Sequence, residues 1–163
     1  MSEYVVETMI VQQKNTAPVK SADSREVVQL LYTSTARGEI SPAVVDDILA
    51  ISRRNNILHG VTGLLLYTQG AFLQVLEGAA EDVERTLGKI KKDPRHSHLQ
   101  VLLKHAVSSR DFSNWAMAYR MLDESVQGGS SDFLAPYSSQ DEMSIPEGPA
   151  KQLMRRFRDV HMR

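Results

Sequence analysis

Residues 60–78 read GVTGLLLYTQGAFLQVLEG. Val61–Thr68 and Ala71–Glu77 are short β-prone runs flanking Gln69-Gly70, a pair suited to the tight turn of a β-hairpin. Upstream, Val27–Tyr32 (VVQLLY) is a third compact β-prone run, followed by the loop chemistry of TSTARGEISP. Ser41-Pro42 then supplies an N-cap and a proline at the first helical position, which predicts a helix from Pro42 to about Asn56. Downstream, Val83, Leu87 and Ile90 recur at helical spacing between charges, so a second amphipathic helix is expected from Ala79 to about Lys92. The KKDPRHSH loop ends it, with lysines at the negative end of the helix dipole and a proline beyond. Leu99–Val107 and Trp115–Met121 are further strand candidates. The resulting order, βαββαββ, is an α+β ferredoxin-like pattern with one added strand. It predicts a mixed five-stranded sheet with both helices on one face.

Beyond this core the texture changes. Residues 1–25 read as an N-terminal arm with a short ordered stretch at Tyr4–Val11, and residues 26–122 as the folded domain. Residues 123–163 form a C-terminal helical extension. DESVQGGSSD is a linker by composition, PYSSQDEMSIPEGP is turn-rich, and AKQLMRRFRDVHMR places Leu153, Met154, Phe157 and Val160 along one face of a short helix. No internal repeat is found.

One compact domain with extensions suits 163 residues. The apolar fraction of 42% and charged fraction of 24% are those of an ordinary globular chain. With a formal net charge of −1, nothing advertises a phosphate-backbone partner, and no nucleic acid is expected. The absence of cysteine removes disulfides, thiolate metal sites and cysteine nucleophiles together. His96 and His98 lack a further ligand at metal spacing, so no metal site is expected. The longest apolar run, around Val61–Tyr67, is far too short to cross a bilayer. No basic region precedes the apolar stretch of the N-terminus, so no signal peptide is read, and a cytoplasmic location is the default expectation.

Periodicity gives the first functional clue. In the first predicted helix the core-facing positions Val45, Ile48 and Leu49 continue into Ser52, Asn55 and Asn56, so the inward stripe turns polar in its last turn. In the third strand Phe72, Gln74 and Leu76 share a face, and Gln74 has apolar neighbours on both sides. In the first strand Val28, Leu30 and Tyr32 share a face, with Ser34 just beyond. A buried amide or hydroxyl without a partner costs about 1–3 kcal/mol. One such residue is ordinarily a satisfied core residue; several near the same ends of neighbouring elements favour a shared polar ligand in the helix–sheet space.

These residues resemble the BLUF domains, sensors of blue light using flavin. The matching pieces are LLYTS at 30–34, SRRNN at 52–56, GVTGLLLYTQGAFLQVLEG at 60–78, KKDPRHS at 91–97 and RDFSNWAM at 110–117. The resemblance implies an FAD or FMN chromophore held without a covalent bond between the two helices. It implies that Tyr32 is the electron donor beside the flavin and that Gln74 hydrogen-bonds both tyrosine and flavin. Asn56 would recognise the flavin's polar edge, with Asn55 and Ser52 nearby. Arg95 and His96 fall near the ribityl or phosphate portion. Ser34, Trp115 and Met117 correspond to positions that report the light signal.

Two other readings share the architecture. An RNA-recognition module would display aromatics on the open sheet face, yet GAFLQVLE holds one aromatic and no basic lead-in. Acylphosphatase-like hydrolysis would use Arg37 after the first strand and an Asn to position water, but Asn56 lies late in a helix. The chain is expected not to be an enzyme, because it has no room for a cyclase or phosphodiesterase of usual size. Its signal is expected to pass by contact to an unidentified effector protein. The open sheet face favours a homo-oligomer.

Overall fold

The computed structural model describes residues 25–113, 115–121 and 147–161. The ordered stretch expected at Tyr4–Val11 and the linker that opens the C-terminal extension lie outside them. The elements are β1 (Val27–Ala36), α1 (Pro42–His59), β2 (Thr62–Thr68), β3 (Ala71–Ala79), α2 (Ala80–Lys91), β4 (His96–Val107), β5 (Ala118–Met121) and α3 (Pro149–His161). The five strands lie in the order β4-β1-β3-β2-β5, antiparallel throughout except for β2 and β5, which run parallel. This is the mixed ferredoxin-like sheet that the sequence predicts.

The hairpin turns where expected. Gln69 and Gly70 have φ of 44° and 79°, the pair of left-handed residues that matches the twist of the flanking strands. Ser41 caps α1 by accepting a hydrogen bond on its side chain from the Val44 N–H, with Pro42 in the first turn. The helix runs past the predicted end at Asn56 to His59. The stop is Gly60, whose left-handed φ of 62° lets the chain close back on the Asn56 and Ile57 carbonyls. Asn56 therefore sits inside the helix, where its side chain is fixed.

The largest departures from the expected strand bounds fall at β1, β4 and β5. β1 continues to Ala36 because Thr33–Thr35 pair with Leu73–Ala71. β4 begins at His96, and a break in its register near the left-handed His98 accommodates the early start. β5 begins only at Ala118, so Trp115 and Met117 lie in the approach to the strand rather than within it.

Each sheet face has its own core. α1 and α2 cover one, packing around Leu30, Tyr32, Leu49, Leu65, Phe72, Leu76, Val83 and Leu87. On the opposite face Leu31, Leu66, Leu73, Val75 and Phe112 pack with Ala150, Met154 and Phe157 of α3. The sequence-predicted stripe of α3 is corrected at one point. Val160 is 65% exposed, and Ala150 and Lys151 are buried instead, because the contact is made by the first two and a half turns of the helix.

Candidate functional site

The antiparallel register of β1 and β3 sets Tyr32 opposite Gln74, so both side chains rise from the same sheet face beneath α1 and α2. Tyr32 Oη donates a hydrogen bond to Gln74 Oε1. Gln74 Nε2 in turn donates to Met117 Sδ at 3.3 Å. Tyr32 and Gln74 are each 3% exposed and Met117 is 1% exposed, so the three form a buried chain: hydroxyl, amide, thioether. Burial pushes the Tyr32 phenol well above its usual range, and the charge of Asp93 adds in the same direction. The phenol is therefore a protonated donor.

Gly63 makes the close approach around Met117 workable. A Cβ at this position would lie 1.9 Å from the Val75 carbonyl oxygen and 3.4 Å from the Met117 terminal methyl. Gly63 also donates its N–H to the Trp115 carbonyl at 3.1 Å, tying the approach segment to β2.

Tyr32 and Gln74 form part of the wall of an open cavity between α1, α2 and the sheet. Leu65, Phe72, Ile48 and Ile90 give it apolar walls; Ser34, Ser52, Asn55 and Asn56 add polar ones. Lys89, Asp93, Arg95 and His96 line it where α2 gives way to the loop before β4. The structure thus brings together all the expected cofactor-contacting residues.

Their present partners differ in kind. Asn56 donates through Nδ2 to the Ala116 carbonyl at 2.7 Å, which leaves its side-chain oxygen to offer a ligand. Arg95 holds Asp93 through Nε and Nη2, at 2.9 and 2.6 Å on the shortest contacts. That pairing keeps the Asp93 carboxyl below its usual range and the guanidinium above its own. His96 Nε2 meets the Ile90 carbonyl at 2.6 Å, and its ring lies edge-on to Phe72. Ser34 Oγ is buried in the cavity wall without a hydrogen-bond partner among the described residues. An unpartnered buried hydroxyl in a roomy, mixed-polarity cavity fits a polar aromatic ligand such as a flavin.

The remaining expected positions, Trp115 and Met117, part company. Met117 joins the cavity-side core, while Trp115 packs, half-buried, against the α3-side core. Three neighbouring residues therefore bridge the two faces of the sheet.

The family comparison identifies the class of ligand. The family model described as sensors of blue light using FAD, BLUF, matches residues 27–118. The chain belongs to the BLUF family. It is a blue-light sensor domain, and its chromophore is a flavin. Among curated relatives, the photoactivated adenylate cyclase subunit beta of Euglena longa is 30% identical over 63% of this chain. The blue light- and temperature-regulated antirepressor BluF of Escherichia coli (strain K12) is 33% identical over 54% of it. The chain spans 12% and 22% of the lengths of those two proteins. Among solved structures, BlsA in its ground state aligns with a TM-score of 0.58 at 35% identity, over 61% of this BLUF chain and 68% of its own.

Sequence reasoning missed a second polar cluster, on the α3 side of the sheet. Glu77 is 0% exposed, and Gln29, Thr62, Arg110 and Asp111 gather around it. The signal was present: an acid in a strand whose other residues are all apolar, amide or glycine. Strand alternation placed Glu77 opposite Gln74 in face but assigned it no partner. Arg53 was missed too; its Nε donates to the Met117 carbonyl at 3.1 Å. No residue pattern reveals that contact, because it joins α1 to a segment without regular structure. Among the described residues no cluster of metal-ligating side chains occurs, and no helix is long and apolar enough to cross a membrane.

Proposed function

We propose that blue light switches this protein through Tyr32 and Gln74. The buried Tyr32–Gln74–Met117 chain on the cavity wall is the observation that carries this reading. A bound flavin supplies blue-light absorption and, once excited, a one-electron acceptor. Tyr32 gives up the electron together with its hydroxyl proton, because burial disfavours every charged form of the phenol. Gln74 takes the proton on its amide oxygen and can pass one on from its nitrogen, being both acceptor and donor.

The resting orientation of Gln74 is fixed by a strong contact and a weak one. Its oxygen accepts from a hydroxyl; its nitrogen has only a thioether acceptor. Turning the amide therefore forfeits little on the Met117 side. A rearranged amide would offer a bound flavin a different hydrogen bond once electron and proton have both returned to Tyr32, and the absorption would move to the red. The residue is a two-position switch biased by modest energies.

Around it, Asn56, Asn55 and Ser52 of α1 would recognise the flavin, and Lys89, Arg95 and His96 would hold the ribityl and phosphate portion of FAD. The sensor unit is residues 26–122. Its output is a contact signal to an effector protein rather than a reaction of its own. The route runs from Met117 through the Trp115 segment to the core shared with α3. The homo-oligomer expected from an open sheet face loses that ground, because α3 covers the face.

The direct test is colour and its response. The purified protein should be yellow, with flavin absorption that shifts reversibly to the red under blue light; a colourless protein overturns the proposal. Asn56→Ala should lower flavin occupancy after gel filtration, because it removes both a ligand contact and the tie to Ala116. Full retention would remove Asn56 from the binding role. The amplitude of the shift should also stay flat from neutral pH to about pH 10, the ordinary phenol value. The sign follows from the Tyr32 pKa being raised: deprotonation is postponed, so the Tyr32 donor persists through that range. Loss of amplitude below pH 9 or so would show a phenol near its ordinary value.

The RNA-binding alternative loses ground on a specific observation. The sheet face such a module would use carries Leu31, Leu73 and Val75 and is covered by α3.

A further inference from the structure

Glu77 is a carboxylate buried completely within the sheet. Such a charge is costly unless hydrogen bonds replace its water. Here they come from neutral donors. Oε1 accepts from Gln29 Nε2 at 2.8 Å and from the Asp111 N–H at 2.9 Å; Oε2 accepts from the Phe112 N–H at 3.0 Å and from Thr62 Oγ1 at 3.4 Å. Two of these donors are backbone groups of the β4–β5 connection, so the carboxylate clamps that connection onto β3 and β1. Gln29 reinforces the clamp by also donating to Asp111 Oδ2 at 2.9 Å, while His105 Nε2 lies 2.9 Å from its Oε1. Arg110 closes over the top, donating to the Glu77 carbonyl at 3.2 Å and to Thr62 Oγ1 at 3.1 Å.

From this clamp the chain reaches Met117 by fixed steps. The Trp115 N–H donates to the Phe112 carbonyl at 3.0 Å, and the Trp115 carbonyl accepts from Gly63 at 3.1 Å. Asn56 holds the Ala116 carbonyl and Arg53 the Met117 carbonyl. The segment that carries the acceptor for Gln74 is thus slung between helix α1 at one end and Glu77 at the other.

We propose that Glu77 is a positioning residue for the light switch: its buried carboxylate sets where Met117 meets Gln74 and where Trp115 meets the opposite core. This rests on the flavin-sensor reading above and extends it to the other side of the sheet. The requirement is for a carboxylate in particular. Donors converge on both oxygens, so a glutamine there can satisfy one side only, and its own N–H groups face donors on the other. A freed connection loosens Met117, and the Gln74 amide turns more easily.

The experiment compares Glu77→Gln with the unaltered full chain, flavin-loaded. Expected are normal flavin occupancy, thermal return from the red-shifted state accelerated about three- to tenfold, and stronger acrylamide quenching of fluorescence in the dark. The chain has a single tryptophan, so that fluorescence reports Trp115 alone. A lower melting temperature with unchanged return rate and unchanged quenching would make Glu77 merely structural and overturn the proposal. Should Glu77→Gln fail to fold, Gln29→Met decides by the same two readouts: it withdraws one donor and the bridge to Asp111 while leaving the carboxylate in place. If the unaltered protein showed no red shift, the switch reading would fall, whereas Trp115 quenching in the dark would still test the clamp.

Discussion

Tyr32→Phe is expected to abolish the reversible red shift while leaving the flavin bound. The ring of Tyr32 packs within the core formed by Leu30, Leu65, Phe72 and Met117, and phenylalanine preserves that packing. Only the hydroxyl is lost, and with it one hydrogen bond to Gln74. Leaving the buried Gln74 oxygen without this donor costs about 1–3 kcal/mol, too little to empty a cavity lined by many other groups. For a domain of this size each kcal/mol lowers the melting temperature by about 4–8 °C. The photochemical effect is of another order. Burial and Asp93 both hold the phenol in its protonated form, so no phenolate is on hand to serve as an easier donor. Electron and proton must leave Tyr32 together, and phenylalanine has neither to give. Difference spectra before and after blue illumination should be flat, and flavin fluorescence should rise because its nearby quencher is gone. A full shift in this variant would sink the mechanism.

The fold was readable in the sequence wherever local chemistry decides geometry. Gln69-Gly70 marked the hairpin, Ser41-Pro42 the start of α1, and the spacing of Val83 and Leu87 the inward face of α2. The ends of elements were less legible because they depend on partners distant in the chain. β1 runs on to Ala36 only because β3 lies beside it, and no property of Thr33–Ala36 alone announces a strand. The cavity residues were legible because each breaks an otherwise apolar pattern: Gln74 between Phe72 and Leu76, and Asn56 on the stripe that begins at Val45. Arg95 and His96 rested on the family resemblance alone, since loop residues obey no periodicity.

What the sequence withheld was the side on which each residue of 115–117 would fall. Alternation treats Trp115 and Met117 as sharing a face, as strand neighbours two apart do. They do not, because the segment is not yet a strand: Trp115 faces the α3 core and Met117 the cavity. Hydrogen bonds from Gly63, Asn56 and Arg53 hold this irregular stretch in place of a ladder. The cavity-side contact of Met117 and the far-side contact of Trp115 are therefore only two residues apart in the chain. The placement of α3 belongs to the same problem. Its apolar residues were visible, but only the docked helix shows that Ala150 is covered and Val160 is not.

Gln74→Leu should also be light-silent, for a different reason that measurement can separate. Leucine keeps much of the shape at a position flanked by Tyr32 and Leu65 across the neighbouring strands. It removes the acceptor for Tyr32 and the donor to Met117 together. Leaving the buried phenol without a partner costs about 1–3 kcal/mol, so this variant should melt earlier than the unaltered protein, as Tyr32→Phe does, while still retaining flavin. The electron donor itself stays beside the cavity. Flavin fluorescence should accordingly remain quenched in Gln74→Leu where it brightens in Tyr32→Phe. The red shift should be absent in both, because an apolar side chain has no donor and acceptor to exchange. A light-induced shift of wild-type size in Gln74→Leu would show that rearrangement of this amide is not what the absorption reports. Tyr32 would then act on the chromophore without it.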